Sequence, residues 1–249
     1  MYYRMPIKNR RFKRSRRPRA RKGRKSTFSK RVLSIVNQTR ELKTAIHSIP
    51  VNTDVFEDIT QPRLLKLMPD IQQGVNEYQR VGNSVLLKKL VVRGYYKHQF
   101  PDATPTNHRA IIRHMVLKQR NCNSADNILS GATSFLQNTL LEQAAPYLGN
   151  IESFQTPINK TAFIVRKEMK KVTNFGSLQG PLGESYWMYE YTITFGKGKK
   201  LNYRTSGAIQ PADFPYFLAH SAASLGSNVG LTANTVTMNM TTTAYYYDA

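Results

Sequence analysis

Between Lys8 and Lys25 the chain carries a guanidinium or ammonium group at 12 of 18 positions. They are Lys8, Arg10, Arg11, Lys13, Arg14, Arg16, Arg17, Arg19, Arg21, Lys22, Arg24 and Lys25, and Arg4, Lys30 and Arg31 extend the run on either side. Residues 1–40 contain no Asp or Glu. Cations at this density lack counter-ions of their own, and burying them would cost more than packing returns. Their chemistry is the neutralisation of a polyanion. Each Lys or Arg that meets a phosphate releases condensed counter-ions, so binding is tight, salt-sensitive and nearly blind to base sequence. The predominance of Arg suits bidentate phosphate contacts. Tyr2, Tyr3 and Phe12 could stack on unpaired bases. These residues form the candidate nucleic-acid-binding set, and nuclear import is a second use of the same cations. A membrane surface fits less well, because Leu and Trp are absent before Leu33 and no apolar face forms.

Other chemistry is sparse. No phosphate-binding Gly-x-x-x-x-Gly-Lys-Ser/Thr and no Gly-x-Ser-x-Gly elbow occurs. Gly196-Lys197-Gly198-Lys199-Lys200 could cradle a phosphate but reads more simply as a loop between strands, with its lysines in solvent or facing nucleic acid. The histidines, His47, His98, His108, His114 and His220, show no metal-ligand spacing. His114 reads as a satisfied, half-buried strand residue. Asp54, Glu57 and Asp58 lie close enough to hold a divalent cation, though solvated loop carboxylates are the plainer reading. Asn37, Asn159 and Asn239 sit in glycosylation sequons that a chain without a secretory signal would leave unused. Cys122 is alone and cannot form an internal disulfide. No catalytic residue, cofactor or metal is expected, and no apolar run is long enough for a transmembrane helix.

The elements that must carry the basic segment lie downstream. The chain has 249 residues and a formal charge of +22; residues 41–249 hold 21 basic and 15 acidic side chains, a net of +6. Residues 1–40 therefore read as an arm, disordered or partly helical, with a short helix over Ser26–Arg40 formed by Val32, Leu33, Ile35 and Val36 behind an Ser29 cap. Residues 41–249 read as one globular domain whose dominant period is two. Trp187, Tyr189, Tyr191, Ile193 and Phe195 share one face of a strand; Tyr186, Met188, Glu190, Thr192 and Thr194 share the other. Further strands are expected over Glu41–Thr53, Val85–Phe100, Arg109–Gln119, Thr161–Thr173, Lys200–Arg204, Phe214–Ala222 and Leu231–Tyr247. In the last, Val236, Met238, Met240, Ala244 and Tyr246 oppose Thr237, Asn239, Thr241 and Thr243. Glycine-rich turn signals, Gly196-Lys197-Gly198 among them, separate these runs. Ser124–Leu148 breaks the pattern with helical spacing in Phe135, Leu136, Thr139, Leu140 and Gln143. Such strands with long connections predict an all-β fold, a single eight-stranded jelly-roll sandwich with Greek-key crossings. An immunoglobulin-type sandwich is the alternative.

Several segments in this layout carry a family resemblance. They are Ile71-Gln72-Gln73-Gly74, then Arg80-Val81-Gly82-Asn83, then Leu87-Lys88-Lys89-Leu90-Val91-Val92-Arg93-Gly94, then a strand beginning at Arg109, then the aromatic ending Tyr245-Tyr246-Tyr247-Asp248-Ala249. Together with the basic arm they resemble the capsid proteins of circovirus-like circular Rep-encoding single-stranded DNA (CRESS-DNA) viruses. Lys118 departs from the family, which often has Asp near the end of that strand. Taken singly, Gly74 and Gly82 read as turn residues with positive φ, and Arg80 and Arg93 as surface or interface ion-pair partners. The resemblance implies a coat protein that packages single-stranded DNA through its arm and assembles with itself into an icosahedral shell of about 60 copies. It implies a location in the virion and, during assembly, the host nucleus, with import receptors and a cell-surface receptor as further partners. Capsid proteins of small single-stranded RNA or satellite viruses share this layout. A cellular nucleic-acid-binding protein of ribosomal type and a nucleic-acid enzyme tethered by the arm are the competing classes.

Overall fold

The computed structural model describes residues 28, 32, 41–55, 65–99, 109–120, 140–142, 154–174, 184–225 and 235–248. The chain divides into two units, Met1–Thr39 and Arg40–Ala249. In the first, Phe28 and Val32 are described; both are helical and exposed. The rest of the expected Ser26–Arg40 helix, and the helical spacing expected within Ser124–Leu148 apart from Leu140 and Leu141, lie outside the described residues.

The second unit is built of antiparallel strands: β1 (Lys43–Asp54), β2 (Leu65–Lys66), β3 (Ser84–Gln99), β4 (Arg109–Gln119), β5 (Phe163–Asn174), β6 (Glu184–Asn202), β7 (Tyr216–Ser224) and β8 (Val236–Asp248). They form two four-stranded sheets in the orders β1-β8-β3-β6 and β2-β7-β4-β5. The pairing is nested: β1 lies beside β8, β2 beside β7, β3 beside β6 and β4 beside β5. The chain is thus a long antiparallel ladder whose successive rungs alternate between the two sheets. Among the described residues no helix is long and apolar enough to cross a membrane.

Alternation decides which face each strand turns inward. Trp187, Tyr189, Tyr191, Ile193 and Phe195 of β6 pack into the shared core, while Met188, Glu190, Thr192 and Thr194 are exposed. In β8, Val236, Met238, Met240, Ala244 and Tyr246 are buried as their spacing predicts. Residues of both sheets meet in this core, among them Leu90, Val92 and Tyr96 of β3 against Ala110, Ile112 and Val116 of β4. Strand β7 shows no alternation, because every residue from Tyr216 to Ser224 is buried. Its second face, with Met115 and Leu117 of β4, lies under Leu140, Leu141, Ile158 and Phe163. A strand covered on both faces loses its polar half.

Two expectations are corrected. The expected strand Tyr186–Phe195 and residues 200–202 of the expected strand Lys200–Arg204 belong to one strand, β6, which ends before Tyr203, and Gly196-Lys197-Gly198 is a bulge within it rather than a loop between strands. The register with β3 jumps here, from Leu87↔Lys199 to Lys89↔Thr194. Gly196 (φ 56°) and Gly198 (φ 106°) supply the left-handed backbone that the extra residues need. In addition, the two-residue β2 closes the second sheet at a place where no strand is expected.

Candidate nucleic-acid interface

The sequence-derived binding residues, from Arg4 through Arg31, lie outside the described residues, as do Tyr2, Tyr3 and Phe12. The side chains of Asp54, Glu57 and Asp58 do as well. The described body contributes its own cations, and their surroundings sort them into those that hold the fold and those that face solvent.

Arg80 belongs to the first kind, which corrects its reading as a surface or interface ion-pair partner. Its side chain is fully buried. Nη2 donates to the carbonyl oxygens of Thr205 (3.1 Å), Ser206 (2.9 Å) and Ala208 (2.8 Å). Nη1 donates to Gly82 O at 2.5 Å and more weakly to Asn83 Oδ1 and Gln73 Oε1. The guanidinium lies 4.1 Å from the centre of the Tyr203 ring. A planar fork surrounded by carbonyl oxygens pins residues 72–83 to residues 203–208. The same loop is tied to the end of β8, where Tyr246 donates its hydroxyl to Tyr78 O (2.9 Å) and Asp248 accepts from Val81 N (3.1 Å). Asp248 also pairs with buried Lys43 at 2.8 Å. Residues 71–74, 80–83 and 245–248 of the resemblance segments therefore meet at one end of the β1-β8-β3-β6 sheet, while Leu87–Gly94 runs along β3 and the segment beginning at Arg109 is β4 of the other sheet. The positive-φ glycines among the described residues are Gly196 and Gly198 rather than Gly74 and Gly82.

Arg113 and His114 are also interior. Arg113 is buried and paired with Glu168 (Nη2–Oε1 2.8 Å), and it donates to Thr156 O at 3.3 Å. His114 is fully buried rather than half-buried. Its ring nitrogens lie 2.8 Å from the Tyr96 hydroxyl and 2.7 Å from that of Tyr191, bridging the two sheets. Burial, then the positive charge of nearby His220 and Lys167, pushes its pKa down to about 3. A neutral imidazole can donate through one nitrogen and accept through the other, so one tyrosine accepts while the other donates. The same burial raises the pKa of Tyr96 and Tyr191. This ring cluster is a neutral structural bridge.

Besides Arg109, Arg120, Lys160 and Arg204, the solvent-facing cations include two groups. On the edge strand β5, Lys167 and Lys171 are exposed and Arg166 donates to the Tyr216 hydroxyl at 2.7 Å. Charges on an edge strand guard it against pairing with another chain. On the outer face of the other sheet, Arg93 pairs with Glu190 at 2.8 Å, as its ion-pair reading expects, and Lys97 pairs with Glu184. These pairings lower the carboxyl pKa values of Glu190 and Glu184, chiefly through the hydrogen bonds from Arg93 and Lys97. A shallow depression of about 420 Å³ lies between Arg93, Tyr95, Met188, Glu190, Asn239 and Thr241. Towards the end where the resemblance segments meet, Lys89 Nζ sits 4.3 Å from the Tyr245 ring centre and Lys88 Nζ 5.6 Å from that of Tyr247. In the sequence these residues carry the family resemblance but are not joined as a binding group. Its signal was Lys88-Lys89 inside an apolar strand, a doublet that strict alternation does not allow and a bulge does.

Among the described residues no cluster of three or more His, Cys, Asp or Glu could hold a metal ion. Comparison with protein-family models and with curated proteins finds no match in either.

Proposed function

We propose that the chain is a viral capsid protein that packages single-stranded nucleic acid, DNA in preference to RNA, with its basic N-terminal segment. The observation that carries this reading is the nested strand pairing joined to an extreme charge asymmetry. Rungs β1–β8, β2–β7, β3–β6 and β4–β5 that alternate between two sheets support a jelly roll, a ladder rolled up as two Greek keys. To this wall is attached a 40-residue segment with 16 Lys or Arg and no acid, against a net of +6 for the other 209 residues. A cellular protein that grips nucleic acid with its body would spread cations over that body. Here the excess lies in a tether, which suits a wall that builds contacts with copies of itself while the tether neutralises a genome. About 60 copies in a minimal icosahedron would bring about 960 positive charges from these segments, on the scale of a genome of one to two thousand nucleotides. The preference for DNA rests on the resemblance carried by Arg80–Gly94 and the aromatic ending.

Negative-stain electron microscopy of the purified full-length protein, with the 260/280 nm absorbance ratio of the same fraction, tests the reading. The expected result is uniform small spheres with a nucleic-acid-rich ratio, whose extracted contents are degraded by deoxyribonuclease. Dispersed monomers carrying nucleic acid at low and high salt alike would reject the capsid and favour a cellular binding protein.

A further inference from the structure

We propose that the outer face of the β1-β8-β3-β6 sheet, where Lys88 and Lys89 stand beside Tyr245 and Tyr247 and β6 carries Lys197 and Lys200 across β3 from them, is a second binding site for single-stranded nucleic acid, on the body of the protein itself. The proposal shares the ligand class of the reading above but does not depend on assembly into a shell.

The site is made by the bulge. In a regular strand Lys88 and Lys89 would point to opposite faces. The register jump between Leu87 and Lys89 re-aims Lys88, so both ammonium groups stand beside tyrosines of the neighbouring strand. Tyr245 and Tyr247 are two residues apart on β8 and share one face, about 7 Å from each other. Across the bulge, Lys197 accepts a hydrogen bond at its carbonyl oxygen from Lys88 Nζ (3.1 Å), which leaves its own side chain exposed. Lys200 lies opposite Leu86, which is itself opposite Tyr247. Gly198 keeps the bulge close to the sheet: a Cβ there would stand 2.6 Å from Leu86 Cγ.

Charge then selects the occupant. The described carboxylates on this face, Glu190 and Glu184, are taken by Arg93 and Lys97. Asp248, at the strand end, is held by Lys43. None of the four lysines forms an ion pair among the described residues. An ammonium beside a half-exposed tyrosine ring offers a nucleotide both things it needs, a cation for the phosphate and a flat face for the base. Two such pairs side by side offer this to consecutive nucleotides with no reading of base edges. A second copy of the chain fits worse, since a two-fold contact would set these lysines against their own mates.

Irradiation of the full-length protein with an iodouracil-substituted single-stranded oligodeoxynucleotide, followed by peptide mass spectrometry, tests the site without any mutation. Crosslinks are expected on the peptide containing Tyr245 and Tyr247 as well as within residues 1–40. In parallel, Lys88→Gln/Lys89→Gln/Lys200→Gln should reduce the slope of log Kobs against log salt by about 2 for the same oligonucleotide. Crosslinks confined to residues 1–40, with an unchanged slope, would overturn the site and leave the basic segment as the binder. Absence of any retained oligonucleotide would overturn both. Unchanged affinity with an altered assembly state of the triple variant would assign the face to a second copy instead.

Discussion

The guanidinium of Arg80 meets carbonyl oxygens where a buried cation more often meets a carboxylate. Removing it would take the guanidinium donor from the carbonyl oxygens of Ser206, Ala208 and Gly82, and from that of Thr205, which keeps a bond from Ala208 N at 3.2 Å. Each such oxygen costs on the order of 1 kcal/mol or more, so Arg80→Ala should lower stability by about 3 kcal/mol or more in urea unfolding. Arg80→Lys should recover little of this, because one ammonium cannot serve a planar fan of acceptors. A lysine variant as stable as the parent would show that charge alone matters there. His114 makes a prediction of the opposite electrostatic kind. In the unfolded chain it takes up a proton near its ordinary value of 6.5, whereas in the fold it resists until about pH 3. The unfolded state therefore binds more protons between those values, and stability must fall as pH falls below about 6.5. The loss from this residue is about 1.4 kcal/mol per pH unit. Urea midpoints from pH 7 to 5 should show that slope in the parent and a shallower one in His114→Asn. Equal slopes would mean that the imidazole is already charged in the fold.

At the scale of elements, the bulge in β6 separates two glycines that look equivalent in sequence. Both have positive φ, but a Cβ on Gly196 would meet nothing within 4 Å, while one on Gly198 would press on Leu86. Gly196→Ala should therefore cost about 1 kcal/mol of backbone strain, and Gly198→Ala that amount plus a steric penalty of similar size. The order of the two melting temperatures is the measurement; reversal would show that Leu86 yields freely. Gly94→Ala should be worse than either, since its Cβ would lie 2.3 Å from Asn239 O in the middle of the sheet. The same stretch shows where sequence could be read and where it could not. The inward faces of β6 and β8 were legible because burial on one side leaves a period of two. The bulge reads as a turn in the sequence because Gly-Lys-Gly has the composition of both; only the partner strand, which continues past it, tells them apart. β2 was illegible because two residues carry no period. The role of Arg80 is hidden for another reason, since the acceptors of its Nη2 come from a loop 125 to 128 residues away.

For the whole molecule the decisive quantity is where the charge sits. Of the 22 excess charges, 16 belong to residues 1–40, yet the shared core and the pairing of the two sheets draw on residues from Lys43 onward. Stability and nucleic-acid binding should therefore separate when the chain is cut between residues 40 and 41. The remaining 209 residues keep every described strand, so far-UV circular dichroism and the melting transition should change little. Binding should change greatly. Counter-ion release scales with the number of phosphates neutralised, and deletion removes 16 of the 37 Lys and Arg side chains and 16 of the 22 net positive charges. On the proposed capsid reading, particles formed by the deleted chain should show an absorbance ratio near that of protein alone, and any residual oligonucleotide binding should have a shallower salt dependence. If the cations around Tyr245 and Tyr247 also bind, that residue of affinity should disappear when Lys88, Lys89 and Lys200 are changed in the deleted chain. Near-normal nucleic-acid content in particles lacking residues 1–40 would instead place packaging on the body of the protein and remove the reason for reading the basic segment as its instrument.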